Sequence, residues 1–319
     1  MILQSKTVYK LFTFVKQTIR MTLKKNVYSI KDLENLSGIK AHTIRIWEKR
    51  YGILEPMRTD SNIRFYDSNN LQKLLNITLL HNHGYKISKI SQYPENKIPE
   101  LVKEIASDKN ANHHALNAFK VAMMNFDQAL FTETYKRLSS EKSFREIFQE
   151  VFIPLLSEVG ILWQTETITP AHEHFIANLI KQKIIINTEK LQSEQLSDSE
   201  KTFVLFLPEN EIHDIVLLYL NYELVFNNCK SVYLGANVPL ENLKKVNTLF
   251  ENIVFVAYLS TQPGKDEIDS YLRIFSNEIL QNENNELWIL GNMARQIDTT
   301  AVDSKIQLIF TLKEFIKNI

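Results

Sequence analysis

The spacing of apolar residues changes at several points along the chain, and each spacing predicts a different kind of structure. Between Val27 and Tyr66 two short stretches carry apolar residues at helical spacing, and a polar turn follows them. From His113 to Leu191 the spacing is helical throughout, which predicts a four-helix bundle. From Thr202 onward short apolar runs alternate with amphipathic stretches, a pattern that favours a parallel, doubly wound α/β sheet.

These changes set the predicted domain boundaries. An N-terminal extension covers residues 1–26, a winged helix-turn-helix domain 27–93, a linker 94–112, the four-helix bundle 113–195 and the α/β domain 200–319. The bundle helices are expected at 115–124, 126–139, 144–163 and 170–191, and the strands at 203–207, 231–234, 253–259, 287–290 and 306–310. Met21 stands just ahead of the first domain, so we expect residues 1–20 to come from an upstream choice of start codon.

Two short helices and a hairpin are predicted at the N-terminal end. Ser29 can cap the first helix, and Gly38 supplies the turn before a second helix that begins near Ala41. One face of the second helix is apolar, with Ile44, Trp47 and Tyr51, and another is polar, with His42, Arg45 and Lys49. The apolar face can therefore pack while the polar face enters a major groove, and Arg58 and Arg64 of the following hairpin can lie on phosphates.

Charge is unevenly distributed along the chain. The whole chain is neutral, with 37 basic and 37 acidic residues, but residues 21–93 hold 12 Lys and Arg against 6 Asp and Glu. Residues 94–319 hold 21 basic against 31 acidic residues, so the N-terminal end is the one expected to face a polyanion. A single cysteine, Cys229, fits a reducing cytosol, and no apolar run approaches the roughly 18 residues that span a bilayer. We therefore expect a cytoplasmic protein.

The N-terminal motif is TIRIWEKRYGIL, residues 43–54. Pro56 and Arg58 follow it, and RFY stands at residues 64–66. It resembles the MerR family of transcriptional regulators across residues 27–93. The resemblance implies that Thr43 and Arg45 contact DNA from the recognition helix, and that the wing residues Arg58, Arg64 and Tyr66 contact the DNA backbone. It also implies a double-stranded operator as partner and a homo-oligomer, because short palindromic half-sites demand at least two heads.

Two motifs of the C-terminal half carry groups that can surround a cofactor. Trp163 is followed after nine residues by Glu173 and His174, which fall near the start of a predicted helix. The sequence EIHD, residues 211–214, comes directly after the first strand of the predicted sheet, where open α/β sheets usually have their ligand crevice. A neutral imidazole is a good donor to a transition metal, and a carboxylate on its far nitrogen would fix the tautomer.

A third motif is YLG, residues 233–235, with Pro239 shortly after it and Ser260 at the end of the third predicted strand. Behind a MerR-type head, a four-helix bundle and an α/β sheet with these motifs are similar to the cobalamin-dependent, light-responsive repressors of the CarH/LitR type. The resemblance therefore implies a transcriptional regulator with cobalamin as cofactor, with adenosylcobalamin and light as inputs. It does not imply an enzyme.

The resemblance also implies a role for each matching residue. Trp163, Glu173 and His174 would cover the upper face of the corrin ring. His213, supported by Glu211, would be the lower cobalt ligand. The residues that would line the nucleotide tail are Gly235, Ser260 and Gly291.

The sequence departs from this family at two glycine positions. Val216 stands where the loop glycine three residues after His213 is expected, and Asn292 replaces the second glycine of a pair. A β-branched side chain at Val216 should crowd the approach of backbone to the nucleotide tail. One alternative is therefore a MerR-type regulator whose degenerate cobalamin-binding-like region serves only oligomerisation or protein interaction. A corrinoid enzyme subunit is disfavoured, because such a carrier needs no winged head.

Several residues also have plainer interpretations. Trp47 and Tyr51 are expected in the core of the head, and Trp163 taken alone could be core of the bundle. The remaining histidines are expected to be solvated: His81, His83, His113, His114 and His172.

Overall fold

The computed structural model describes residues 27–59, 61–94, 96–106, 111–192, 200–298 and 303–319. The predicted N-terminal extension lies outside these residues. The chain forms two compact units, one ending at Leu179 and the other running from Ile180 to Ile319. None of the described helices combines the length and the apolar character that crossing a membrane requires.

The first unit begins with a small head of helices and short strands. In chain order its elements are β1 (Val27–Tyr28), α1 (Ile30–Ser37), α2 (Ala41–Tyr51), β2 (Met57–Arg58), β3 (Arg64–Asp67), α3 (Ser68–Asn82) and α4 (Ile87–Ile90). The three strands form a sheet in the order β1-β3-β2. Ser29 and Asp32 form a capping box at α1, and Gly38 ends that helix with a φ of 76°. The predicted two helices and hairpin are confirmed, while the two-residue strand β1 was not predicted.

A helical region follows the head. Its elements are α5 (Lys97–Ala106), α6 (Ala111–Asn125), α7 (Gln128–Ser139), α8 (Phe144–Ile147), a π-helical turn (Phe148–Phe152), α9 (Ile153–Gln164) and α10 (Pro170–Gln192). Pro154 lacks an N–H group and its ring would collide with the preceding turn, so the helix widens just before it. The four predicted bundle helices are thus present, and α5 occupies most of the predicted linker.

The second unit contains a five-stranded sheet. Its elements are β4 (Thr202–Phe206), α11 (Ile215–Phe226), β5 (Lys230–Gly235), α12 (Leu240–Val246), β6 (Ile253–Tyr258), α13 (Ile268–Glu278), β7 (Glu286–Leu290), a 3-10 turn (Met293–Gln296), β8 (Ile306–Leu308) and α14 (Leu312–Asn318). All neighbouring strands are parallel, in the order β5-β4-β6-β7-β8. The five predicted strands agree with these bounds to within two residues.

Helices cover both faces of this sheet. Leu243 of α12 and Phe275 of α13 pack in one buried cluster, and Leu220 of α11 and Phe315 of α14 pack in the other. Because the chain leaves β4 for β5 on one side and returns to β6 on the other, the loops after β4 and β6 meet at a topological switch point. The EIHD loop lies there.

Candidate functional sites

Helix α2 has one polar and one buried face, as predicted. The polar face consists of His42, Thr43, Arg45 and Lys49, of which only Thr43 is partly buried. On the opposite face Ile44 is fully buried and Trp47 nearly so. The polar side chains are therefore free of the core and available to a groove.

The wing is a short antiparallel hairpin with Arg58 opposite Arg64. Nη1 of Arg58 donates to Oδ1 of Asn62 at 2.6 Å, and the side chain of Arg58 is exposed. Asn62 has a φ of 63°, a left-handed conformation that asparagine adopts more readily than most residues. The turn thus holds Arg58 at the surface of the hairpin.

Glu48 joins the recognition helix to the wing. Its carboxylate, 7% exposed, accepts a hydrogen bond from the Tyr66 hydroxyl, and its Oε2 lies 3.5 Å from Nε of Arg64. Tyr66 is fully buried, so the prediction that its side chain contacts the DNA backbone is wrong. Burial and, after it, the hydrogen bond to Glu48 raise the pKa of Tyr66. Tyr66 therefore positions the wing. The role of Glu48 was not predicted from the sequence. The feature that could have indicated it is that Glu48 is the single acidic residue of α2.

Trp163 lies at the end of α9 with 53% of its surface exposed. The interpretation of Trp163 as bundle core is therefore wrong. Glu173 is partly buried and His174 is exposed, both near the beginning of α10. All three side chains are thus accessible in part, as residues that cover a ligand would have to be.

His172 was expected to be solvated, and the structure corrects this. Its Nδ1 accepts a hydrogen bond from the backbone N–H of Thr169 at 3.2 Å and lies 2.9 Å from the Thr169 hydroxyl. The ring stacks on Phe126 with centroids 4.6 Å apart. His172 therefore orders the turn that begins α10, directly before Glu173.

Glu211 and His213 form the centre of the loop that follows β4. Glu211 is fully buried, while the His213 side chain is 49% exposed. Nδ1 of His213 donates to Oε1 of Glu211 at 2.5 Å, and the backbone N–H of His213 donates to the same oxygen at 3.0 Å. Because a carboxylate can only accept, Nδ1 carries a proton, and in the neutral imidazole the lone pair lies on Nε2, where it can bind a metal.

The second oxygen of Glu211 holds the loop after β6. Oε2 accepts hydrogen bonds from the backbone N–H groups of Ser260, Thr261 and Gln262 at 3.2, 2.7 and 3.0 Å, and from the Thr261 hydroxyl at 3.1 Å. Burial alone would raise the pKa of Glu211, but the hydrogen bonds from Thr261, His213 and Gln262 outweigh it and lower the pKa to about 2. The structure thus brings together Glu211, His213 and Ser260. Thr261 and Gln262 were not predicted, although they directly follow Ser260.

The two glycines assigned to the nucleotide tail have roles in the fold itself. Gly235 has a φ of 83°, which permits the turn after β5. Gly291 has a φ of 103°, and a Cβ there would lie 2.3 Å from the carbonyl oxygen of Leu259. Gly291 therefore allows the ends of β6 and β7 to approach. Asn292 is exposed, and Val216, the second residue of α11, packs partly buried against the core.

Two family models match parts of the chain. Residues 28–97 match the model described as MerR HTH family regulatory protein, and residues 115–186 match the B12 binding domain. The first match covers the head and the second covers the helical region.

Two relatives and one solved structure resemble larger parts of the chain. The HTH-type transcriptional repressor CarH of Myxococcus xanthus is 26% identical over 254 residues, covering 77% of this chain and 84% of that protein. The repressor CarA of the same organism is 23% identical over 217 residues, covering 67% and 70%. The monomethylamine corrinoid protein of Methanosarcina barkeri superposes with a TM-score of 0.53 at 15% identity, covering 65% of this chain and 97% of that one.

At 15% identity the likeness to the corrinoid protein concerns the fold alone. The head matches the MerR helix-turn-helix model, and the same chain joins it to a helical region that matches the B12 binding domain model and to a parallel α/β domain.

Proposed function

We propose that this protein is a transcription regulator that binds an operator through its MerR-type head and senses a corrinoid through its C-terminal half. The observation that carries the proposal is the Glu211–His213 pair, which presents Nε2 of a partly exposed imidazole at the switch point of the sheet. The two named relatives are transcription repressors rather than enzymes, which supports the regulatory role.

In this proposal each half of the chain has its own ligand. Arg45 and its neighbours on α2, His42, Thr43 and Lys49, enter the major groove, and Arg58 and Arg64 lie on phosphates. His213 would ligate the cobalt, and the residues of the helical region, Trp163, Glu173 and His174, would take part in retaining the corrinoid. A corrinoid with an alkyl upper ligand would supply a cobalt–carbon bond that light can break. Operator binding involves a homo-oligomer, because a short half-site is read by each head.

Operator binding in the presence of corrinoid tests this proposal. Full-length protein is incubated in the dark with adenosylcobalamin or with adenosylcobinamide, desalted, and titrated against an operator fragment by fluorescence anisotropy. We expect at least one corrinoid to remain bound and to change operator affinity by about fivefold or more. His213→Ala should abolish the effect while leaving the ligand-free affinity unchanged.

A second variant tests the role of the helical region. Because Trp163 is half exposed, Trp163→Ala should leave the unfolding midpoint unchanged while lowering the amount of retained corrinoid. Trp163→Phe, which keeps an aromatic ring, is the matched control. If neither corrinoid is retained by a folded, DNA-binding wild type, the C-terminal half is instead an oligomerisation or protein-interaction module.

A further inference from the structure

Three partly buried side chains lie on the elements next to the His213 loop. Val216, Tyr233 and Tyr258 all pack against the buried cluster that lies between the sheet and helices α11 and α14. Val216 is the second residue of α11, and Tyr258 is the last residue of β6. They therefore lie at the carboxyl edge of the sheet, where the loop that carries His213 leaves β4.

The hydroxyl groups of the two tyrosines lie near the acidic residues of this loop. Burial and, after it, the negative charge of Glu211 raise the pKa of Tyr258, and burial followed by Asp214 does the same for Tyr233. Among the described residues, the Tyr233 hydroxyl is buried with no hydrogen-bond partner. Burying a hydroxyl without a hydrogen-bond partner costs free energy of folding. The packing of the Tyr233 ring must therefore offset that cost.

Not every part of a cobalamin molecule fits this arrangement. His213 suits the cobalt, since its Nε2 is directed away from Glu211 and its side chain is half exposed. The nucleotide tail is a different matter, because the resemblance implies that it would pass close to Val216, near the start of α11. Protein interiors are packed as densely as organic crystals, so a benzimidazole nucleotide could enter there only if the two aromatic rings and the β-branched side chain moved.

We propose that this domain selects a corrinoid without a nucleotide tail, of the cobinamide class, over cobalamin, because Val216, Tyr233 and Tyr258 occupy the space that the tail would need. The inference rests on the proposed function, since it assumes that His213 ligates a corrinoid. A tail-free corrinoid also has no internal base to compete with His213 for the lower face of the cobalt.

Retention of two corrinoids by the full-length protein tests the selectivity. Aquacobinamide and aquacobalamin are incubated separately with the protein, and bound corrinoid is measured from the visible spectrum after desalting. We expect cobinamide to bind at least about tenfold more tightly, a ratio that corresponds to roughly 1.4 kcal/mol of crowding. Cobinamide bound to wild type and reduced to cobalt(II) should give an electron paramagnetic resonance signal split by one nitrogen. His213→Ala should remove that splitting.

Variants attribute the selectivity to the crevice. Val216→Gly combined with Tyr258→Gly should raise cobalamin retention toward that of cobinamide. Tyr258→Phe removes the hydroxyl and keeps the ring, so it should leave the preference as in wild type. Circular dichroism and operator binding establish that each variant is folded, and if the double variant does not fold, the wild-type comparison decides alone.

The outcomes separate this inference from the proposed function. Equal affinity of wild type for both corrinoids, or a preference for cobalamin, overturns the selectivity and leaves the corrinoid-sensing function standing. A folded double variant that gains no cobalamin binding overturns the role of these side chains. Binding of neither corrinoid overturns the proposed sensing function, and the inference with it.

Discussion

Nζ of Lys120, in helix α6, lies 3.2 Å from the backbone carbonyl oxygen of Leu36, in helix α1 of the DNA-reading head. Lys120 is only 8% exposed, and its ammonium group also pairs with Oε2 of Glu158 at 2.8 Å. A cation at the C-terminal end of a helix is favourable, because the last carbonyl groups there lack partners within the helix. A hydrogen bond from Asn35 to Thr167, at 2.7 Å, makes a second link between the head and the turn after α9.

Lys120→Met should therefore destabilise the first unit. The change removes a buried, charge-assisted hydrogen bond, whose loss costs about 1.5–3 kcal/mol. Denaturant unfolding followed by circular dichroism measures the effect. Lys136→Met, at an exposed lysine of α7, is the matched control and should change stability by less than about 0.5 kcal/mol. Equal midpoints for the two variants would mean that the Lys120 contacts contribute nothing.

Arg45→Ala should weaken operator binding and relax its sequence preference. Arg45 is exposed on the polar face of α2, and an arginine that reads a base edge contributes about 1–3 kcal/mol. Anisotropy titrations of the operator and of a scrambled fragment, at one fixed salt concentration, measure both effects. Lys31→Ala, on α1 and outside the predicted interface, is the control. An unchanged ratio of the two affinities would remove Arg45 from base recognition.

Arg64→Ala should lower affinity for all DNA sequences alike and flatten its dependence on salt. A phosphate contact carries no base information, and its loss should reduce the slope of log affinity against log salt by about 1. Because Arg64 lies beside Glu48, Glu48→Gln tests whether this contact positions the guanidinium. We expect Glu48→Gln to lower affinity while leaving the salt slope intact. A wild-type slope for Arg64→Ala would argue against a phosphate contact.

Glu211→Gln should make the free energy of unfolding of the second unit less dependent on pH in the acidic range. The pKa of Glu211 falls from 4.5 to about 2 on folding, so its carboxylate stabilises the fold above about pH 4.5. That contribution, on the order of 3 kcal/mol, is lost as the pH falls toward 2. Unfolding measured at pH 7, 4 and 2.5 should show wild type converging on the variant. Exposed Glu241→Gln should follow wild type at each pH.

Local structure was predictable wherever a short-range rule governs it. The cap at Ser29, the stop at Gly38 and the five parallel strands agree with the structure. Each depends on residues within one helical turn or one strand, so the printed order of side chains carries the information. The motif around His213 was also placed correctly after β4, because strand and loop adjoin in the chain.

Contacts between distant segments were decided only by the tertiary structure. The residue type of Tyr66 does not reveal whether its side chain contacts a phosphate or Glu48. Its burial depends on how β3 packs against α2. Gly291 matched a ligand position, yet its missing side chain is required by Leu259, which lies in another segment of the sheet. The sequence by itself determined the order of domains, the helix-turn-helix head and the position of His213 directly after β4. The packing of Val216, Tyr233 and Tyr258 near His213 was decided by the tertiary structure. These side chains come from α11, β5 and β6, which meet only when the sheet is assembled, and no local spacing records how they pack.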